Sequence, residues 1–214
     1  LARMLLQVPL IERVIISNNN PACDLSRFLR FSHPRLTFLQ QPVERPCAYR
    51  YFIALETKAD YLLFIDDDLF LLPSQVQKVC EETLKNPSVV HGMFGQELLH
   101  NGLFRHGVSN RDGRIDILNR IYAFGRPLLD RWHALLEEAG LRNEKSAMRN
   151  DDIFLAFSGH GLPTSHNVGF YLDCCSQDEE GIAVWREEDF FPSRDRLYKK
   201  LHALRLLSDV SGTS

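Results

Sequence analysis

The chain predicts an α/β fold with a single open, mainly parallel sheet flanked by helices. Three observations carry this. Helical and strand patterns alternate along the 214 residues, as connections between parallel strands require. The run Tyr61-Leu62-Leu63-Phe64-Ile65 is apolar without interruption, which suits a central strand covered on both faces. Hydrophobic residues make up 44% of the sequence, enough for one core of ordinary size, and no linker or repeat divides it. Residues 1–214 therefore read as one domain, with residues 1–115 and 116–214 as its two halves.

In order, residues 1–9 read as a helix ending near Pro9, and Arg13 to Ile16 as a short buried strand. Asn18-Asn19-Asn20-Pro21 is a turn cluster. Leu25 to Phe31 fits a helical turn, Leu36 to Leu39 a second strand and residues 47–57 a helix. After the strand at Tyr61 to Ile65, Ser74 is the expected cap of a helix running to Lys85, which Asn86-Pro87 ends. Val89 to Gly95 and Ile115 to Phe124 are further strands. Helices are expected at 127–139, 151–158 and 192–207. A sheet of this kind begins with a strand, whereas this chain begins in a helix, so a strand upstream of Leu1 is expected.

Composition narrows the function. Lys+Arg number 25 against 28 Asp+Glu, a formal net charge of −3, which argues against a nucleic-acid partner. The most apolar stretch, at the start, is broken by Arg3, Glu12 and Arg13, so no membrane span is expected. The five cysteines include no CxxC pair; a disulfide framework or a structural zinc site is not expected. Localisation stays open between the cytoplasm and, with an upstream anchor, the lumen of the secretory pathway.

The residues that carry chemistry are acidic. Asp66-Asp67-Asp68 follows the apolar strand directly, and ligands of open α/β sheets gather at the carboxyl ends of strands. Three adjacent carboxylates repel one another and resist desolvation unless a cation joins them. Mn²⁺ or Mg²⁺ suits such oxygen ligands and bridges to phosphates. Strand alternation puts Asp66 and Asp68 on one side and Asp67 on the other. We expect Asp68 to hold the metal and Asp66 to hold a ribose hydroxyl or share the ion; the plain alternative is a solvated acidic turn. In Asn150-Asp151-Asp152-Ile153 the acidic pair either starts a helix favourably or orients an acceptor hydroxyl and takes its proton. The two readings are compatible.

Taken together, VIISNNNP (14–21), FLQQ (38–41), Arg50 followed by ALET (54–57), LLFIDDDLFL (62–71), NDDIFLAF (150–157) and GIAVWREEDFFPSRDRLYKK (181–200) resemble metal-dependent nucleotide-sugar glycosyltransferases of the A-type fold. Within them the likeness is to the exostosin-type family. The resemblance implies that Asn18 or Asn19 contacts the nucleotide, and that Arg50, sixteen residues before Asp66, contacts the diphosphate or the nucleotide. It implies that Asp66 and Asp67 touch ribose and donor sugar and that Asp68 ligates the metal. Asp151, with Asp152 beside it, would stand near the transferred sugar and the acceptor, and Arg194 would reach the diphosphate. Two positions depart from the pattern: Phe190, beside Asp189, replaces a histidine, and Glu44 or Arg45 stands where an asparagine precedes the helix arginine.

The implied activity is transfer of a sugar from a UDP-sugar donor to a carbohydrate or glycolipid hydroxyl, dependent on Mn²⁺ or Mg²⁺, with retention of configuration. Three alternatives are a non-catalytic nucleotide-sugar or glycan-binding module, a haloacid-dehalogenase-like phosphatase and a sugar-nucleotide pyrophosphorylase. The last would call for a Gly-rich basic loop that is not evident near the start.

Overall fold

The structure, a computed structural model, describes residues 1–98, 104–109, 111–174 and 184–211. Helix α1 covers only Ala2–Leu5. The N–H groups of Gln7 and Val8 bond three residues back, to Met4 and Leu5. These tight turns lead to Pro9, which disfavours helix at the residue before it and so shortens the helix expected over 1–9. Strands β1 (Val14–Asn18) and β2 (Leu36–Gln40) pair in parallel, with Val14 opposite Leu36 and Asn18 opposite Gln40. Between them a 3-10 turn at Leu25–Arg27 is capped by the Asp24 carboxylate, which accepts from the Ser26 N–H.

Helix α2 (Tyr49–Leu55) leads into β3 (Tyr61–Ile65), β4 (Leu69–Phe70) and α3 (Pro73–Lys85). The cap of α3 is extended Leu72, not Ser74. Pro73 takes the first helical position, where no N–H is missed, and Gln75 Oε1 accepts the Leu72 N–H at 2.8 Å. The strand expected over 89–95 is split into β5 (His91–Gly92) and β6 (Phe94–Leu98). Strand β7 (Phe104–Ser109) pairs antiparallel with β6, and β8 covers Gly113–Arg114.

The strand expected over 115–124 is likewise divided, into β9 (Ile117–Leu118) and β10 (Ile121–Gly125). Arg120 breaks it with a left-handed φ of 66°, while the Asn119 N–H bonds Phe94 O. Then come α4 (Arg126–Glu138), α5 (Lys145–Arg149), α6 (Asp151–Ser158), β11 (Thr164–Ser165) and β12 (Leu172–Asp173). A 3-10 turn at Val184–Arg186 precedes α7 (Phe190–Ser211).

The fold is α/β, with a mixed rather than mainly parallel sheet. Its five strands run in the order β3-β10-β5-β11-β8. β10 is antiparallel to both β3 and β5, and β11 is parallel to β5 and antiparallel to β8. Parallel neighbours need a helical crossover; β10 is reached instead from β9 through the kink at Arg120, and it enters between β3 and β5 in the opposite direction. Further small sheets are β1-β2, β4-β12 and β7-β6-β9.

The β3-β10 pair separates two apolar clusters. Leu62 and Phe64 on β3, with Tyr122 and Phe124 on β10, join the larger one beneath α2, α4 and α6. Leu63, Ile65 and Ile121 join the smaller one with α1 and α3. This is the period-2 alternation of a strand covered on both faces. Gly92 permits the close packing of β5 on β10, because a Cβ there would lie 2.3 Å from Ile121 O. Among the described residues no helix is long and apolar enough to cross a membrane.

Candidate active site

Antiparallel pairing of β3 with β10 sets the acidic triplet. The Asp66 N–H bonds Arg120 O at 2.7 Å, directly after the last paired residue, and the Cys174 N–H bonds Asp68 O at 2.8 Å. The triplet is thus stitched to the β9–β10 kink on one side and to the end of β12 on the other. Asp67 is exposed, while Asp66 and Asp68 are half-buried, the alternation the strand direction demands.

Helix α2 aims Arg50 at this edge. Its Nη1 donates to Asp66 Oδ1 at 2.8 Å, its Nε donates to Asp151 Oδ2 at 3.0 Å and its Nη2 donates to the Tyr122 hydroxyl. One guanidinium therefore joins the end of β3, the start of α6 and the middle of β10. Burial opposes the Arg50 charge, but Asp151, Tyr122 and Asp66 outweigh it and hold its proton more tightly than usual. Burial raises the Asp66 pKa above the carboxylate norm against the pull of Arg50, with the Asp68 charge adding to the rise. Burial likewise raises the Tyr122 and Tyr51 phenols, keeping both neutral.

Asp151 is only 3% exposed. Cys47 Sγ lies 3.2 Å from its Oδ1 and 3.3 Å from the carbonyls of Met148 and Arg149. Desolvation of the sulfur and the adjacent Asp151 carboxylate push this thiol's pKa well up, so it acts as a neutral donor. Trp132 Nε1 holds Asp151 O at 3.3 Å, and its ring stacks on Tyr51 at 4.2 Å; Trp132 is a core residue. Trp185 is exposed.

The other acidic residue of α6 has a different partner. Arg194, 3% exposed, holds both Asp152 oxygens, Nη1 to Oδ1 at 2.9 Å and Nη2 to Oδ2 at 2.7 Å. It also donates to Asn150 Oδ1 at 3.0 Å and to Gln96 Oε1 at 2.7 Å. This enclosed pair fastens α7 and β6 to the start of α6. In this arrangement both Nη nitrogens are committed to protein oxygens.

Asn18 and Asn19 also work on the chain itself. Asn18 Nδ2 donates to Cys23 O at 2.6 Å and to Gln40 Oε1 at 2.8 Å, closing the turn after β1. Asn19 exchanges bonds with the backbone of Arg45, accepting its N–H at 2.7 Å and donating to its carbonyl. The asparagine pair thereby positions the segment that enters α2, and through it Arg50.

Asp68 faces Arg120 Nη2 at 3.1 Å, and the same nitrogen pairs with Asp173. Among the described residues no three His, Cys, Asp or Glu side chains converge as a metal cage. Asp66 and Asp68 instead form a two-carboxylate edge, where burial first and the Asp68 charge second raise the Asp66 pKa. Asp66 is held by Arg50 and Asp68 by Arg120, so a divalent ion at this edge would have to share each carboxylate with a guanidinium and take its other ligands from water and phosphate.

The sequence reading did not anticipate Tyr122, Cys47, Gln96, Asn150, Arg120 or Asp173 as partners of these groups. A signal exists for Arg120 alone, since Asn119-Arg120 interrupts the apolar stretch from Ile115 to Phe124. Cys175 and residues 181–183 of the C-terminal motif lie outside the described residues. No protein-family model matches the chain, and no curated protein matches it.

Proposed function

We propose that the chain is a glycosyltransferase of the A-type, exostosin-like kind, moving a sugar from a UDP-sugar to a carbohydrate or glycolipid hydroxyl with Mn²⁺ or Mg²⁺. The observation that carries this reading is the Arg50 bridge, which brings the acidic end of β3 and the acidic start of α6 to one guanidinium. A donor carboxylate site and an acceptor carboxylate site must adjoin for group transfer, because reacting groups have to be held within contact distance.

In this scheme Asp68, with Asp66, would hold the divalent ion, which when bound supplies a Lewis acid toward the leaving diphosphate. Arg50 orients Asp66 and Asp151 relative to each other and offsets their charge. Asp67, exposed on the opposite side of the triplet, would meet the donor's hydroxyls. Asp151, 3% exposed and held by Arg50 and Cys47, would act on the acceptor only by fixing the first turn of α6 beside it, and Asp152, fixed by Arg194, keeps that turn in place. Asn18 and Asn19 set the rim on which the nucleotide would rest. Retention of configuration follows from the family resemblance.

One observation favours a second reading, a binding module without turnover: Arg194 and Asp152 neutralise each other inside the protein, leaving the diphosphate fewer cations. Product analysis separates the two. With UDP-hexoses and UDP-N-acetylhexosamines, Mn²⁺ and a broad panel of glycan and glycolipid acceptors, the enzyme reading expects transfer or slow donor hydrolysis. UDP-sugar binding without either product would leave only the module.

A further inference from the structure

Beside the carboxylate site lies an open cleft of about 720 Å³ whose chemistry is the opposite of the rest of the protein. Its lining holds four cations, Arg45, Arg142, Lys145 and Arg149, and one carboxylate, Glu44, in a chain whose net charge is −3. Such a concentration of one sign raises the local density of counter-ions. The walls are aromatic: the Arg45 guanidinium stands 5.0 Å over the Tyr49 ring and that of Arg142 5.6 Å over the Phe52 ring. At these distances each guanidinium lies within cation–π range of its ring.

The existing partners of these cations are replaceable. Arg142 pairs with Glu137 at 2.6 Å and Arg149 with Glu187. The first pair is exposed on both sides and the second on the Glu187 side, and surface pairs of this kind hold weakly. Arg45 and Lys145 are exposed and have no carboxylate partner among the described residues. The base of the cleft is fixed, since the Ala48 N–H bonds Met148 O at 3.1 Å and Cys47 ties the same segment to Asp151.

We propose that this cleft is a binding site for a small, multiply charged oxyanion, bearing phosphate or carboxylate groups, gripped by Arg45 and Lys145 with Arg142 and Arg149 joining. The site needs no divalent metal and stands whether or not the chain transfers sugars.

Calorimetric titration in EDTA with inorganic pyrophosphate and, separately, with citrate tests it. Saturable binding of either anion is expected, weakening as salt is raised, and the tighter of the two names the charged group the site prefers. The exposed double variant Arg45→Gln/Lys145→Gln, checked for unchanged folding by circular dichroism, should weaken that binding at least about tenfold. Asp68→Asn should leave it unchanged. The proposal is overturned if neither anion binds saturably, if binding persists in the double variant, or if Asp68→Asn abolishes it.

Discussion

Arg50 reaches Asp151 across the core, Nε to Oδ2 at 3.0 Å, and this contact between residues 101 positions apart is the hinge of the site. The two ends of the arginine's reach differ in exposure. The Asp151 side chain is 3% exposed and the Asp66 side chain 35%, so the two carboxylates should respond differently to mutation.

Arg50→Ala leaves Asp151 buried without its cation, a loss of about 3–5 kcal/mol for broken buried pairs. Asp66→Asn removes a carboxylate that is 35% exposed and whose ionised form burial already disfavours, so it should cost less, about 1 kcal/mol. Urea unfolding of both variants measures the difference. Equal effects would contradict the burial argument.

Arg194 should behave as a fastener of α6. Arg194→Met strands the Asp152 charge and should destabilise by about 3–5 kcal/mol, whereas Arg194→Met with Asp152→Leu should recover most of that loss. Thermal or urea unfolding reads both. A single variant that folds normally yet loses UDP binding would assign Arg194 to the ligand instead.

Two histidines make stability depend on pH. His91 Nδ1 lies 2.9 Å from His166 Nε2, and His91 Nε2 lies 2.9 Å from Asn86 O. These contacts are satisfied when His91 donates to the carbonyl and accepts from His166, with both rings neutral. Burial depresses both pKa values below 6.5, and for His166 the His91 charge adds to the effect. A depressed folded pKa means that the unfolded chain binds more protons as pH falls through 6.5. The stabilisation is therefore full above that value and is lost progressively below it. His166→Gln should flatten this part of the stability profile between pH 7.5 and 5.5, read by urea unfolding; an unchanged slope would exclude the pair as its source.

The main landmarks were legible because they rest on local pattern. The apolar run Tyr61–Ile65 is β3, the acidic triplet follows it, and Asp151–Ser158 is a helix with its acidic pair in the first turn. Strand direction was not legible. Ile121–Gly125 is buried on both faces, so its composition is the same for a parallel or an antiparallel strand, and only the Arg120 kink sets its sense. Nor could spacing show that Arg50 and Arg194 would divide the two α6 carboxylates between them. That division depends on side-chain burial between elements distant in sequence.

Calorimetric titration of the protein with UDP, in Mn²⁺ and in EDTA, tests most directly whether the β3 carboxylates join a divalent ion to a nucleotide's phosphates. The account predicts that Mn²⁺ tightens UDP binding at least about tenfold over EDTA, that Asp68→Ala removes this gain and that Asp67→Ala, the exposed neighbour, keeps it. UDP binding of equal strength in EDTA, or undiminished in Asp68→Ala, would contradict it.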